Sequence, residues 1–185
     1  MSSYRVAHRY ATALLESAKD EQQLETIAHD AELIGKTVRE NRELRVALAS
    51  PVIEKEKKKR ILAELFQKKV GQVTYKFLDL LVEKDREGVL LDIVKEFTHL
   101  LDHRRGIMRV EVGSAVPLAD GARKQLQQQL EMYTGKKVIL DFRIDPTLLG
   151  GFAVRLEDRI IDASIIHQLE LLREKFLEGS HVEKR

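Results

Sequence analysis

Arg104-Arg105-Gly106-Ile107-Met108-Arg109-Val110-Glu111-Val112 is the stretch where the chain changes its hydrophobic period. Upstream, apolar residues recur at helical spacing; downstream, Met108, Val110 and Val112 alternate with Arg109 and Glu111 as in a half-buried strand. Gly106 reads as a left-handed helix stop, with His103, Arg104 and Arg105 set against the negative end of the helix dipole. The switch predicts an α+β protein with two domains. Residues 1–105 form an N-terminal six-helix bundle, and residues 106–185 a small C-terminal α/β module whose tail frays from about residue 179.

The upstream helices follow from their faces. Tyr4 to Ala18 places Ala7, Tyr10, Ala11, Leu14 and Leu15 on one side. Asp20 and Gln23 read as a capping box for a second helix carrying Leu24, Ile27, Ala31, Ile34 and Val38. A short third helix stops at Ser50, because Pro51 disfavours helical geometry before it. A fourth runs from about Glu54 to Phe66, a fifth from Val70 to Glu83 and a sixth from about Glu87 to Arg105. Downstream, a helix over Asp120 to Thr134 is followed by strands at Val138–Ile144, Phe152–Leu156 and Ile160–Ile161, with Glu157-Asp158 turning the chain. A last helix spans about Ala163 to Leu177.

Composition excludes several classes of function. There are no cysteines among the 185 residues, so disulfides, thiolate zinc sites and cysteine nucleophiles are ruled out. Lys and Arg number 32 against 30 Asp and Glu, a net charge of +2, and the first 105 residues alone hold 20 basic and 18 acidic side chains. Neither half is an electrostatic arm for nucleic acid. The longest apolar run is the four residues Val46–Ala49, far below the roughly 20 that a membrane helix requires, so no direct membrane insertion is expected. Nor is a signal or transit segment visible at the N-terminus, which favours a bacterial cytoplasm.

Candidate chemistry fails on spacing. His99 and His103 share a helix face, but the metalloprotease pattern needs Glu where Leu100 stands. Thr134-Gly135-Lys136-Lys137 lacks the earlier glycine and the final hydroxyl of a phosphate loop. Gly150-Gly151 precedes no helix N-terminus, and Asp158 with Asp162 reads as a solvent-exposed pair. No catalytic residue, metal or cofactor is expected. Lys55-Glu56-Lys57-Lys58-Lys59-Arg60 reads as a solvated face with Glu54–Lys58 and Glu56–Arg60 pairs. The alternative reading is a nucleic-acid-associated helical adaptor acting through that stretch.

Two helices are more apolar than a bundle surface requires. The fifth carries Val70, Val73, Tyr75, Phe77, Leu78, Leu80, Leu81 and Val82 round most of its circumference. Such a helix is central, or it gives one face to its core and another to a partner. The last helix has Ile165, Leu169, Leu172 and Phe176 on one stripe, expected to close the module, with Ile166 and Leu177 outside it.

Arg9-Tyr10-Ala11-Thr12-Ala13-Leu14, Phe77-Leu78-Asp79-Leu80-Leu81, Ser114-Ala115-Val116-Pro117-Leu118, Asp145-Pro146-Thr147-Leu148-Leu149-Gly150-Gly151-Phe152 and Asp158-Arg159-Ile160-Ile161-Asp162-Ala163-Ser164 occur in an order that resembles the delta subunit of F-type ATP synthases, the oligomycin-sensitivity-conferring protein family. Ala163 departs from the glycine common there, and Ile165-Ile166-His167-Gln168 lacks the basic residue many relatives carry. The resemblance implies a non-catalytic stator subunit, joining the catalytic head to the peripheral stalk so that proton-driven rotation is coupled to ATP synthesis. It implies a place on the cytoplasmic face of the bacterial inner membrane as part of that complex. It also implies two partners: the N-terminal helix of an α subunit in a groove beside the first and fifth helices, and the ends of the b subunits on the C-terminal module. The matching candidates are Ala7, Tyr10, Ala11, Leu14, Val73, Phe77, Leu80 and Leu81 for α, and Ile166, Arg173 and Leu177 for b.

Overall fold

A computed structural model describes residues Ser3–Leu156 and Arg159–Gly179. The chain divides into two compact units, Met1–Arg104 and Arg105–Arg185. The first holds α1 (Ser3–Glu16), α2 (Glu21–Glu40), α3 (Arg42–Ala49), α4 (Lys55–Phe66), α5 (Gln72–Glu83), a 3-10 turn (Glu87–Val89) and α6 (Leu90–Arg104). The second holds β1 (Ile107–Ser114), α7 (Asp120–Thr134), β2 (Lys137–Ile144), a 3-10 turn (Pro146–Leu148), β3 (Phe152–Leu156), β4 (Arg159–Asp162) and α8 (Ile165–Gly179).

Local chemistry sets the helix ends. Asp20 Oδ1 accepts from the Gln23 amide at 2.7 Å, while the Gln23 side chain reaches back past Asp20 to the amide of Lys19. Asn41 serves two helices: its amide bonds Thr37 O at the end of α2, and its side chain caps α3 through Leu44 N. Gly106 and Gly135, each at φ +65°, follow α6 and α7.

Each of α1 to α6 turns apolar residues inward. Ala11, Ile27, Ile34, Leu62, Phe66, Leu78, Val82, Ile93 and Phe97 are among the buried residues of one continuous cluster. Gly35 lets α2 approach α6, since a Cβ there would stand 2.9 Å from Val94 Cγ1.

Lys58 departs from the expected solvated face. It is buried, and its Nζ donates to Glu87 Oε1 at 2.5 Å and to Leu48 O at 3.0 Å, so the Glu54–Lys58 pair does not form. The reason is position: residue 58 falls on the face of α4 that also buries Leu62 and Phe66. Its neighbours are engaged too, Lys55 with Asp85 at 2.7 Å and Lys59 with Glu83 at 3.3 Å. Much of the stretch on which the nucleic-acid alternative rests is thus held within its own unit.

In the second unit the strand order is β2-β1-β3-β4, with β1 and β2 parallel and the other pairs antiparallel. Joining parallel neighbours requires a crossover, and α7 supplies it. Val110 and Val112 of β1, Val138 of β2 and Val154 of β3 are buried with Leu130 of α7, and Leu126 packs beside them. On the reverse face Arg109, Glu111, Asp141, Arg143 and Arg155 are exposed, with Arg143 paired to Glu111 at 3.0 Å. The turn expected at Glu157-Asp158 and the tail from Ser180 onward lie outside the described residues.

Candidate partner-binding surfaces

The residues of α1 and α5 sort into two sets once the helices are packed. Ala7, Ala11 and Leu14 of α1 and Leu81 of α5 are buried in the core of the first unit. Tyr10, Val73 and Phe77 are half-buried at its edge, and Leu80 is 41% exposed. Spacing explains the division on α5. Val73, Phe77 and Leu80 stand at i, i+4 and i+7 on one stripe, while Thr74, Leu78, Leu81 and Val82 occupy the adjacent, inward side.

Tyr10 and Phe77 join the two helices, ring centroids 6.4 Å apart and planes at 69°. The Arg9 guanidinium lies 5.4 Å from the Tyr10 ring centroid. On the other side of α1, His8 Nδ1 lies 2.8 Å from Glu96 Oε1 of α6. The result is an apolar strip of Tyr10, Val73, Phe77 and Leu80, half-buried to exposed, with the two rings in contact. Its side chains are apolar and aromatic at helical spacing.

The last helix differs from expectation. Ile165, Leu169, Leu172 and Phe176 do not close the module; they are exposed, Leu169 by 55% and Phe176 by 75%. The apolar face of the sheet is already covered by α7 through Leu126 and Leu130, which leaves this stripe uncovered. Its 4-3-4 spacing is the seam of a coiled-coil helix, the signal that could have marked it as a docking face in the sequence. Of the candidates beside it, Ile166 is half-buried and Arg173 is exposed. The side chain of Leu177 lies outside what the structure describes.

Asp162 is exposed at the end of β4, just ahead of this helix, and Asp158, read with it as a solvent-exposed pair, lies outside the described residues. Ser164, by its side chain first and then its backbone, hydrogen-bonds the Asp162 carboxyl and holds it below its ordinary value of 3.8. Ser164 Oγ in turn accepts from His167 N at 3.2 Å, an N-cap for α8. Asp145 is lowered likewise by Thr147, whose Oγ1 and amide donate to Asp145 Oδ1 at 2.5 and 3.0 Å. His99 and His103 are both exposed, and among the described residues no group of three or more His, Asp or Glu is placed to hold a metal.

A family model described as "ATP synthase delta (OSCP) subunit" matches residues 6–176. The chain belongs to that family. It is 43% identical to ATP synthase subunit delta of Chlorobium phaeovibrioides over 96% of this chain and 98% of that one. The corresponding subunit of Chlorobaculum tepidum is 42% identical over 94% and 96%. That of Chloroherpeton thalassium is 39% identical over 95% and 96%. A solved chain from the Toxoplasma gondii mitochondrial ATP synthase hexamer shares the fold, with a TM-score of 0.73 at 21% identity over 92% of this chain and 97% of that one. Delta-family membership makes this a non-catalytic stator subunit of an F-type ATP synthase, membrane-associated as part of that complex. Among the described residues no helix is long and apolar enough to cross a membrane.

Proposed function

We propose that this delta-family subunit links the catalytic head to the peripheral stalk through two separate surfaces, one on each unit. The six helices of residues 1–104 act as one bundle whose outer strip, Tyr10 with Val73, Phe77 and Leu80, takes the amphipathic N-terminal helix of an α subunit. Ala7, Ala11, Leu14 and Leu81 support that strip from beneath. The seam Ile165, Leu169, Leu172 and Phe176 of α8, with Ile166 and Arg173 at its margin, takes the ends of the b subunits. In this arrangement the protein works on the cytoplasmic face of the bacterial inner membrane and binds no nucleotide.

The observation that carries the reading is the helical apolar seam on α8, uncovered within a unit whose sheet already has a helix over its apolar face. Isolated exposed apolar residues are ordinary; four large ones at 4-3-4 spacing on one helix form a continuous apolar surface. Pull-down of the full chain with the cognate α-subunit N-terminal segment and, separately, with the b subunits tests the reading. Capture of each by a different surface supports it; failure to capture either removes it.

A further inference from the structure

The apolar face of α2 contains one carboxyl group, Asp30, among Ile27, Ala31 and Ile34. It is 2% exposed, and a polar group so placed must find partners or destabilise the fold. Its partners lie more than forty residues downstream. Asp30 Oδ2 accepts from the Gly71 amide at 2.8 Å and from Thr74 Oγ1 at 2.6 Å. Gly71 is the N-cap of α5, and having no side chain it supplies no cap of its own. The cap comes instead from another helix.

We propose that Asp30 is a positioning residue for the α1/α5 strip: one oxygen on α2 fixes where α5 begins, and so holds the wall that carries Val73, Phe77 and Leu80. This rests on the reading of that strip as a partner site. A helix is stiff over two turns, and Leu80 lies only about 9 Å along the axis from Thr74. Anchoring residues 71 and 74 therefore fixes the side chains that follow. Thr74 is 1% exposed, so its bond to Asp30 is shielded from water, while the Gly71 bond is part-buried. Phe77 stands one turn after Thr74 and meets Tyr10, so the same anchor sets the aromatic contact that closes the strip.

Asp30→Ala and Asp30→Asn, made in the full chain, separate positioning from plain stability, because asparagine keeps an accepting oxygen in the same place. Two measurements are needed. One is NMR contact between the Tyr10 and Phe77 rings together with amide exchange along α5 and α6. The other is affinity for a peptide of the cognate α-subunit N-terminus. In Asp30→Ala the ring contact is expected to be lost and α5 to exchange faster while α6 holds. Peptide binding should weaken roughly tenfold, as for loss of a cap and a buried hydrogen bond, and Asp30→Asn should restore it. Thr74→Val removes one of the two donors at similar volume, and should show the same pattern more weakly if Asp30→Ala does not fold. The proposal is overturned if Asp30→Ala keeps the ring contact and α5 protection, or if exchange rises equally in α5 and α6. It is also overturned if Asp30→Asn is no better than Asp30→Ala. If the parent chain does not bind the peptide, the partner-site reading fails, and ring contact with exchange alone decide whether Asp30 places α5.

Discussion

The Tyr10 ring on α1 meets the Phe77 ring on α5 edge to face, 6.4 Å between centroids. This contact divides α5 into an inner side, where Leu81 is 1% exposed, and an outer side, where Leu80 is 41% exposed. The two adjacent leucines should therefore behave oppositely. Leu80→Asp is expected to change stability by no more than about 0.5 kcal/mol and to weaken capture of the α-subunit segment at least about tenfold. Leu81→Ala should cost about 2–5 kcal/mol of stability. Urea unfolding with peptide titration checks both; a Leu80→Asp variant that binds like the parent removes Leu80 from the contact.

Leu169→Asp combined with Leu172→Asp tests the α8 seam. Both side chains are exposed, so the folded spectrum should persist. Capture of the b subunits should be lost while the α-subunit segment is retained. Loss of both partners together would contradict two separate surfaces.

Lys58 and Glu87 form a buried ion pair whose second carboxylate oxygen, Glu87 Oε2, has no hydrogen-bond partner among the described residues. Breaking such a pair strands one charge, so Lys58→Met should cost about 3–5 kcal/mol. Adding Glu87→Leu should return most of that loss, because both charges are then absent. Denaturant midpoints of the single and double variants decide it; equal loss in both would mean that Lys58 acts through Leu48 O alone.

Acid should loosen the start of α8. Asp162 and Asp145 both titrate below their ordinary 3.8, so the folded state favours their charged forms. That stabilisation is fully present above about pH 3.8 and is lost as pH falls through the lower folded values. Carboxyl-carbon NMR titration should give midpoints below 3.8 for both, with Ser164 and His167 amides moving alongside Asp162. A midpoint at or above 3.8 for Asp162 would show that the Ser164 bonds do not persist in solution.

Residues 1–105 should fold alone. The buried cluster of the first unit is drawn entirely from α1 to α6, so cutting the chain after it removes no core residue. The fragment is expected to give a helical circular dichroism spectrum and a cooperative melt. A disordered fragment beside a folded full chain would show that the units depend on each other.

The sequence by itself determined the α+β class, the change of period at Gly106 and the inward faces of α1 and α2. Each of these rests on spacing between near neighbours, and 3.6-residue or two-residue periodicity is set by local backbone geometry. The capping box at Asp20 and the helix stop at Gly106 were legible for the same reason. Tertiary structure alone decided which apolar residues are spare. Leu80 and Leu81 are chemically identical neighbours, and only the packing of α5 buries one and bares the other. It also decided the fate of Lys58 and Asp30, whose partners Glu87 and Thr74 lie 29 and 44 residues away. Periodicity carries no information across such separations. The last helix gives the sharpest case: its stripe looked like core, and it is surface because α7 had already covered the sheet.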